Sequence, residues 1–89
     1  MRRIAQHRRF RADLKRQKRR GRDIDELIAA VELLAEQGAL PSAYRPHRLS
    51  GEWGGVWECH IEDDWLLIYS VNGEEVLLIR TGSHADLFT

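Results

Sequence analysis

With 89 residues, 43% of them hydrophobic, the chain is sized for one domain, and no run approaches the roughly 20 apolar residues of a membrane span. A single cysteine excludes an internal disulfide and a cysteine-rich metal site, which suits a reducing cytosol. The formal net charge of zero hides a division: residues 1–22 hold eleven Lys/Arg against one acid, Asp13, and residues 23–89 hold three Lys/Arg against thirteen acids, balances of +10 and −10.

Such asymmetry implies either a polyanionic partner for the basic end or a solvated helix face. The opening Met1-Arg2-Arg3-Ile4 is basic but no apolar run follows, so it does not read as a secretory signal, and a cytoplasmic protein is expected.

Residues 2–6 read as a weak opening strand. From about His7 to Arg20 the period is helical: Phe10 and Leu14 share a face, cations cover the rest, and Gly21 is a stop. A second helix follows. Asp23 caps it, with Glu26 at capping-box spacing; Ile24, Leu27, Ile28, Val31, Leu34 and Ala35 recur at helical period, and Gly38 and Pro41 end it. This is the main core helix over 23–38.

From residue 47 the period becomes two. RLSGEWGG reads as a short strand with turns, VWECHIE alternates, and WLLIYSV and EVLLIRT are apolar enough for inner strands. Asn72-Gly73 between the last two predicts a two-residue type I′ hairpin, whose central residues take positive φ. The order predicts a single α+β domain: two N-terminal helices packed on one face of a twisted, mainly antiparallel sheet of four or five strands, with a meander over 47–82 and a short C-terminal element over 83–89.

Register decides which side chains meet. The Asn-Gly turn would pair Tyr69 with Val76, Leu67 with Leu78 and Trp65 with Arg80. A two-residue turn at Glu62-Asp63 or Asp63-Asp64 would then set Glu58 and His60 on the face of Trp65, Leu67, Tyr69 and Arg80. Trp57, Cys59, Ile61, Leu66, Ile68, Leu77 and Ile79 would face the helices. A one-residue slip would exchange the faces.

The open face would carry an imidazole, a carboxylate, two aromatics and an arginine, with Asp64 at its rim, His84 folding back past a Gly turn, Phe88 one turn beyond, and His47 entering from a loop. Arginine presents a planar fork to phosphate, histidines give and take protons near neutrality, and an aromatic stacks on a base. This inventory suits cleavage of RNA by its own 2′-hydroxyl, with no metal or other cofactor. Plainer readings exist for each residue alone: His60 as a sheet histidine, Arg80 paired with Glu58 or Glu62, Phe88 and the tryptophans as packing. A zinc site from His47, His60, His84 and Asp64 lacks tight ligand spacing.

HRLSGEWGGVWECHIEDDWLLIY followed by IRTGSHADLF resembles the YafQ branch of the RelE/ParE superfamily of bacterial toxins. The resemblance covers residues 47–88 and implies a ribosome-dependent endoribonuclease acting on mRNA, held inactive by a cognate antitoxin protein. By position it implies His47, His60, Asp64 and His84 as the acid/base group, Arg80 as the transition-state cation and Phe88 as the residue positioning the base. Trp65 would line the wall of the site, and Glu58 stands where an aspartate is usual. His84 is then the general acid, with Asp64 or His60 as base. The ribosomal RNA would meet Arg8, Arg9, Arg11, Lys15, Arg16, Lys18, Arg19, Arg20 and Arg22. The alternatives are a ParE-like toxin that inhibits gyrase without RNase chemistry, and a non-catalytic RNA-binding module.

Overall fold

The computed structural model of the chain describes residues 1–49 and 55–88. Trp53 and the turns expected around it lie outside the described residues.

The elements run β1 (Arg3–Gln6), α1 (Arg8–Arg19), α2 (Ile24–Gln37), a 3-10 turn (Ser42–Tyr44), β2 (His47–Arg48), β3 (Trp57–Glu62), β4 (Trp65–Val71), β5 (Glu75–Gly82) and α3 (His84–Phe88). The strands form one sheet in the order β1-β5-β4-β3-β2. The three later pairings are antiparallel, while β1 lies parallel to β5 with Ile4 opposite Val76. The expected α+β architecture is therefore present, with β1 as a parallel edge. Among the described residues, no helix is long and apolar enough to cross a membrane.

Local chemistry sets the helix ends. The His7 side chain accepts from Arg9 N at the start of α1, satisfying one of the amides a helix leaves unpaired. At α2 the Asp23 carboxylate accepts from Asp25 N, and Gly38 ends the helix at φ 75°. Any side chain on Gly38 would also strike the guanidinium of Arg2. Asp23 caps as expected, but the Glu26 carboxyl lies beside Glu62, where desolvation first and that second carboxylate next raise its pKa.

One core fills the space between helices and sheet. Phe10 of α1 and Leu27, Ala30, Val31 and Leu34 of α2 pack on Cys59, Trp65, Leu67, Tyr69, Val76 and Leu78. Burying side chains of this size contributes about 1.5–3 kcal/mol each. A second, smaller cluster, Leu66, Ile68 and Leu87 with Leu49, Val56 and Ile79 at its margin, seats α3 against the sheet.

The expected register is corrected at three points, two of which exchange faces. The β4–β5 loop is longer than an Asn-Gly pair: Val71 faces Val76, Asn72 Oδ1 accepts from both Glu74 N and Glu75 N at 2.8 Å, and Gly73 does not take positive φ. A β-bulge then falls between Leu78 and Arg80, because Tyr69 faces Leu78 while Ile68 faces Arg80. A second shift falls between His60 and Glu62. The two-residue turn at Asp63-Asp64 is real, with Glu62 opposite Trp65, but His60 faces Leu66 and Glu58 faces Ile68.

Each bulge inserts one residue and exchanges the faces beyond it. Trp65, Leu67 and Tyr69 therefore join the helix-side core, where Trp57, Cys59 and Ile61 also pack. Leu66, Ile68 and Ile79 leave it for the α3 side. Glu58, Ile68 and Arg80 make one cross-strand row, and His60, Leu66 and Gly82 the next, so Glu58, His60 and Arg80 still share one set of register positions.

Candidate active site

The site forms where β3, the β3–β4 turn, α3 and the loop before β2 converge. α3 is set first. Ser83 Oγ accepts from Asp86 N at 3.1 Å while Asp86 Oδ2 accepts from Ser83 N at 2.9 Å, a reciprocal cap on a short helix. Arg20, which caps the C-terminus of α1, clasps the same carboxylate with two bonds of 2.6 and 3.0 Å, and Gln17 approaches at 3.4 Å. The Arg20 guanidinium holds the Asp86 carboxyl well below the usual carboxylate range. α3 is thus tied to the end of α1 as well as packed through Leu87.

This anchoring delivers His84 to the β3–β4 turn. One oxygen of Asp64 accepts from the His84 backbone amide at 3.0 Å and lies 2.9 Å from His84 Nδ1. Those bonds, the backbone one foremost, lower the Asp64 pKa, so the group is an acceptor at neutral pH. An acceptor there assigns the Nδ1 proton to His84 and leaves Nε2 open for proton transfer.

The His60 ring lies 6.0 Å from His84, centroid to centroid, and the Phe88 ring lies 6.4 Å from His84. Behind His60 stands Arg45, whose guanidinium is 3.2 Å from His60 Nδ1 and 3.2 Å from an Asp63 oxygen. Arg45 is the one non-glycine residue with positive φ (49°) among the described residues. Its carbonyl lies 3.3 Å from His47 Nδ1, and His47 Nε2 lies 3.4 Å from the buried Glu58 carboxylate, which β2–β3 pairing sets opposite it. The result is two polar groups side by side, Glu58, His47, Arg45 and His60 in one and His84 with Asp64 in the other, with the His60 and His84 rings adjacent.

His47, His60, Asp64, His84, Phe88 and Glu58 are therefore brought together. Two of the expected residues make their hydrogen bonds outside this group. Trp65 is fully buried and leaves the wall of the site: its Nε1 donates to Thr81 Oγ1 at 2.9 Å, and Arg22 lies 5.3 Å over its ring. Arg80 reaches neither Glu58 nor Glu62 for its pair; it binds Asp13 of α1, through Nε at 2.6 Å and an amino nitrogen at 3.1 Å. Cys59 is buried, and burial first, then Glu58, pushes its thiol up to about 12, so it carries no thiolate chemistry.

Of the basic residues, Arg8, Arg9, Arg11, Lys15, Lys18 and Arg19 stand exposed on α1. Arg16 and Arg20 are exposed too, but Arg20 is paired with Asp86 and Arg16 stands 3.9 Å from it; the half-buried Arg22 is paired with Glu62 at 3.2 Å and bonds the Asp64 carbonyl.

Two residues escaped sequence reasoning. Asp13 carried a signal in being the lone acid of the basic segment, at helical spacing from Phe10 on the face that turns inward. Arg45 carried none beyond being one of three cations after residue 22.

A small α+β sheet protein with a histidine–carboxylate cluster at one end of the sheet is the class this geometry defines. Residues 2–89 match the family model described as bacterial toxin of type II toxin-antitoxin system, YafQ, and the chain belongs to that family. The mRNA interferase toxin YafQ of Escherichia coli K12 is 38% identical over 77 residues, covering 85% of this chain and 84% of that protein. The structure of the E. coli DinJ–YafQ complex superposes with a TM-score of 0.91 at 34% identity, covering all of both chains. A metal-bound toxin from Helicobacter pylori superposes with a TM-score of 0.90 at 34% identity, covering 99% of this chain and all of that one.

Proposed function

We propose that this chain is the toxin of a type II toxin–antitoxin pair, an endoribonuclease that cleaves mRNA in the ribosomal A site and is neutralised by its cognate antitoxin. The name and activity of the E. coli relative and its complex with DinJ support the reading. The observation that carries it is the His84–Asp64 pair at 2.9 Å with His60 6.0 Å from the same imidazole.

Cleavage by the RNA's own 2′-hydroxyl needs a base at that oxygen and an acid at the leaving 5′-oxygen. Asp64, already accepting two bonds from His84 and lowered in pKa, is a poor base and a good orienting group. His60 therefore takes the 2′ proton and His84 Nε2 protonates the 5′-oxygen. The 2′-oxygen bonds to phosphorus, the bond from phosphorus to the 5′-oxygen breaks, and the products are a 2′,3′-cyclic phosphate and a 5′-hydroxyl. Arg80 meets the charge that builds on the phosphoryl oxygens. Phe88 stacks on a base beside His84, while Glu58 and His47 orient the cluster from behind. The exposed cations of α1 lie against ribosomal RNA phosphates. Such a target places the protein in the cytoplasm.

Mapping mRNA ends on translating ribosomes tests this. Wild-type protein should leave 5′-hydroxyl ends, and His84→Ala and His60→Ala should each slow cleavage by about 10²-fold or more. Cleavage should persist with toxin stripped of bound metal, the ribosomes keeping their magnesium. Wild-type rates in both histidine variants would overturn the assignment, and activity restored only by added zinc would replace it with a metal mechanism.

A further inference from the structure

The mechanism leaves one buried charge unused. Asp13 is the only acid among residues 1–22, yet it is 5% exposed within a helix otherwise dressed in cations. Taking a carboxylate out of water costs several kcal/mol unless bonds replace the lost hydration. Asp13 receives three: Arg80 Nε at 2.6 Å and Thr81 N at 3.2 Å on Oδ2, and an Arg80 amino nitrogen at 3.1 Å on Oδ1.

The contact is a side-on fork. Asp13 takes Nε–H and one N–H of a neighbouring amino group, which fixes the guanidinium plane, and among the described residues no hydrogen bond engages the other amino group. Arg80 lies immediately past the β5 bulge and opposite Ile68, in the cross-strand row that contains Glu58. The same helix α1 holds α3 through Arg20 and Asp86, at 2.6 and 3.0 Å. α1 thus references both parts of the site to one rigid element: the cation through Asp13, and the helix carrying His84 through Arg20.

We propose that Asp13 is a positioning residue for Arg80, holding the guanidinium by one edge so that its other edge faces the phosphate at cleavage. The proposal rests on the reading of Arg80 as the transition-state cation. A preset guanidinium stabilises charge without reorganising at the moment of reaction, and loss of that presetting slows the chemical step while leaving binding alone.

Single-turnover cleavage on programmed ribosomes tests it, using Asp13→Asn, Arg80→Ala and the double variant, with melting temperature and antitoxin binding measured alongside. Asp13→Asn should lower the rate at saturating ribosomes by about 10- to 100-fold with the half-saturating concentration unchanged. It should cause no further loss in the Arg80→Ala background. Wild-type rates in Asp13→Asn beside a slow Arg80→Ala would sink the positioning role and leave Arg80 catalytic. An equal loss from Asp13→Asn in both backgrounds would also sink it. A fast Arg80→Ala would remove the functional reading of Arg80 itself. Should Asp13→Asn not fold, Asp13→Glu keeps the charge on a longer arm: slow cleavage by a folded, antitoxin-binding protein supports the proposal, and full activity overturns it.

Discussion

A single carboxylate oxygen of Asp64 engages His84 twice, at the backbone amide (3.0 Å) and at Nδ1 (2.9 Å). The first bond fixes where α3 begins, and the second fixes the tautomer of its first side chain. Asp64→Asn retains the shape but not the charge that supports an imidazolium. Cleavage at neutral pH should fall by on the order of 10²-fold, while the melting temperature, measured on the same sample, stays within a few degrees because both groups are exposed. An undiminished rate would make the pair a bystander.

Arg20 and Asp86 carry a pH prediction. Asp86 has a folded-state pKa below its ordinary value of ~3.9. Its contribution to stability is therefore fully present above that ordinary value and is lost as pH falls toward the folded one. Asp86→Asn should lower stability by about 1–2 kcal/mol at pH 7, roughly 5 °C or more in melting temperature. The difference between variant and wild type should be constant above pH 5 and shrink below pH 4. A gap that widened in acid would contradict the assignment.

Gly82 is required by a close approach rather than by backbone freedom. A Cβ there would lie 2.8 Å from Asp86 Oδ2 and 2.9 Å from Asp86 Cβ. Gly82→Ala should displace α3 from β5 and cost about 1–3 kcal/mol in urea unfolding, and His84 should separate from Asp64 with a fall in cleavage. A variant as stable and active as wild type would show that α3 has slack the structure does not indicate.

Breaking the Arg80–Asp13 pair from one side should be worse than removing both charges. Arg80→Ala strands a buried carboxylate, an effect of about 2–3 kcal/mol when set somewhat below that of fully buried pairs. Asp13→Asn combined with Arg80→Met should recover much of that loss in denaturant melts. Equal destabilisation by the single and double changes would mean the pair is solvated enough to contribute little.

The exposed cations of α1 should show in the salt dependence of ribosome binding. Neutralising Arg11 and Lys15 to Gln should weaken binding and reduce the slope of log affinity against log salt by about 0.7–0.9 for each phosphate that no longer meets a cation. Changing Arg20 to Gln should instead act mainly through Asp86, with a melting shift. An unchanged slope in the first pair would move the RNA-binding surface to another face.

Periodicity in the chain by itself determined the elements: Ile24 to Ala35 repeat at helical spacing, VWECHIE alternates, and Gly21 and Gly38 mark the helix ends, because these signals are local. The polar inventory of the site and the division of charge were legible for the same reason, and the grouped histidines survived into the structure. Facing was not legible. β4 and β5 are apolar on both sides, so a period of two could not tell which of Leu66 or Leu67 turns to the helices; a single-residue bulge at Ile61 reversed the answer for Trp65 and Tyr69, and one at Ile79 parted Arg80 from them. Only the tertiary structure chose the partner of Arg80, an aspartate 67 residues away. The sequence offered carboxylates at Glu58 and Glu62 with the same charge, but the carboxylate that α1 carries, at a buried position, is the one the guanidinium bonds.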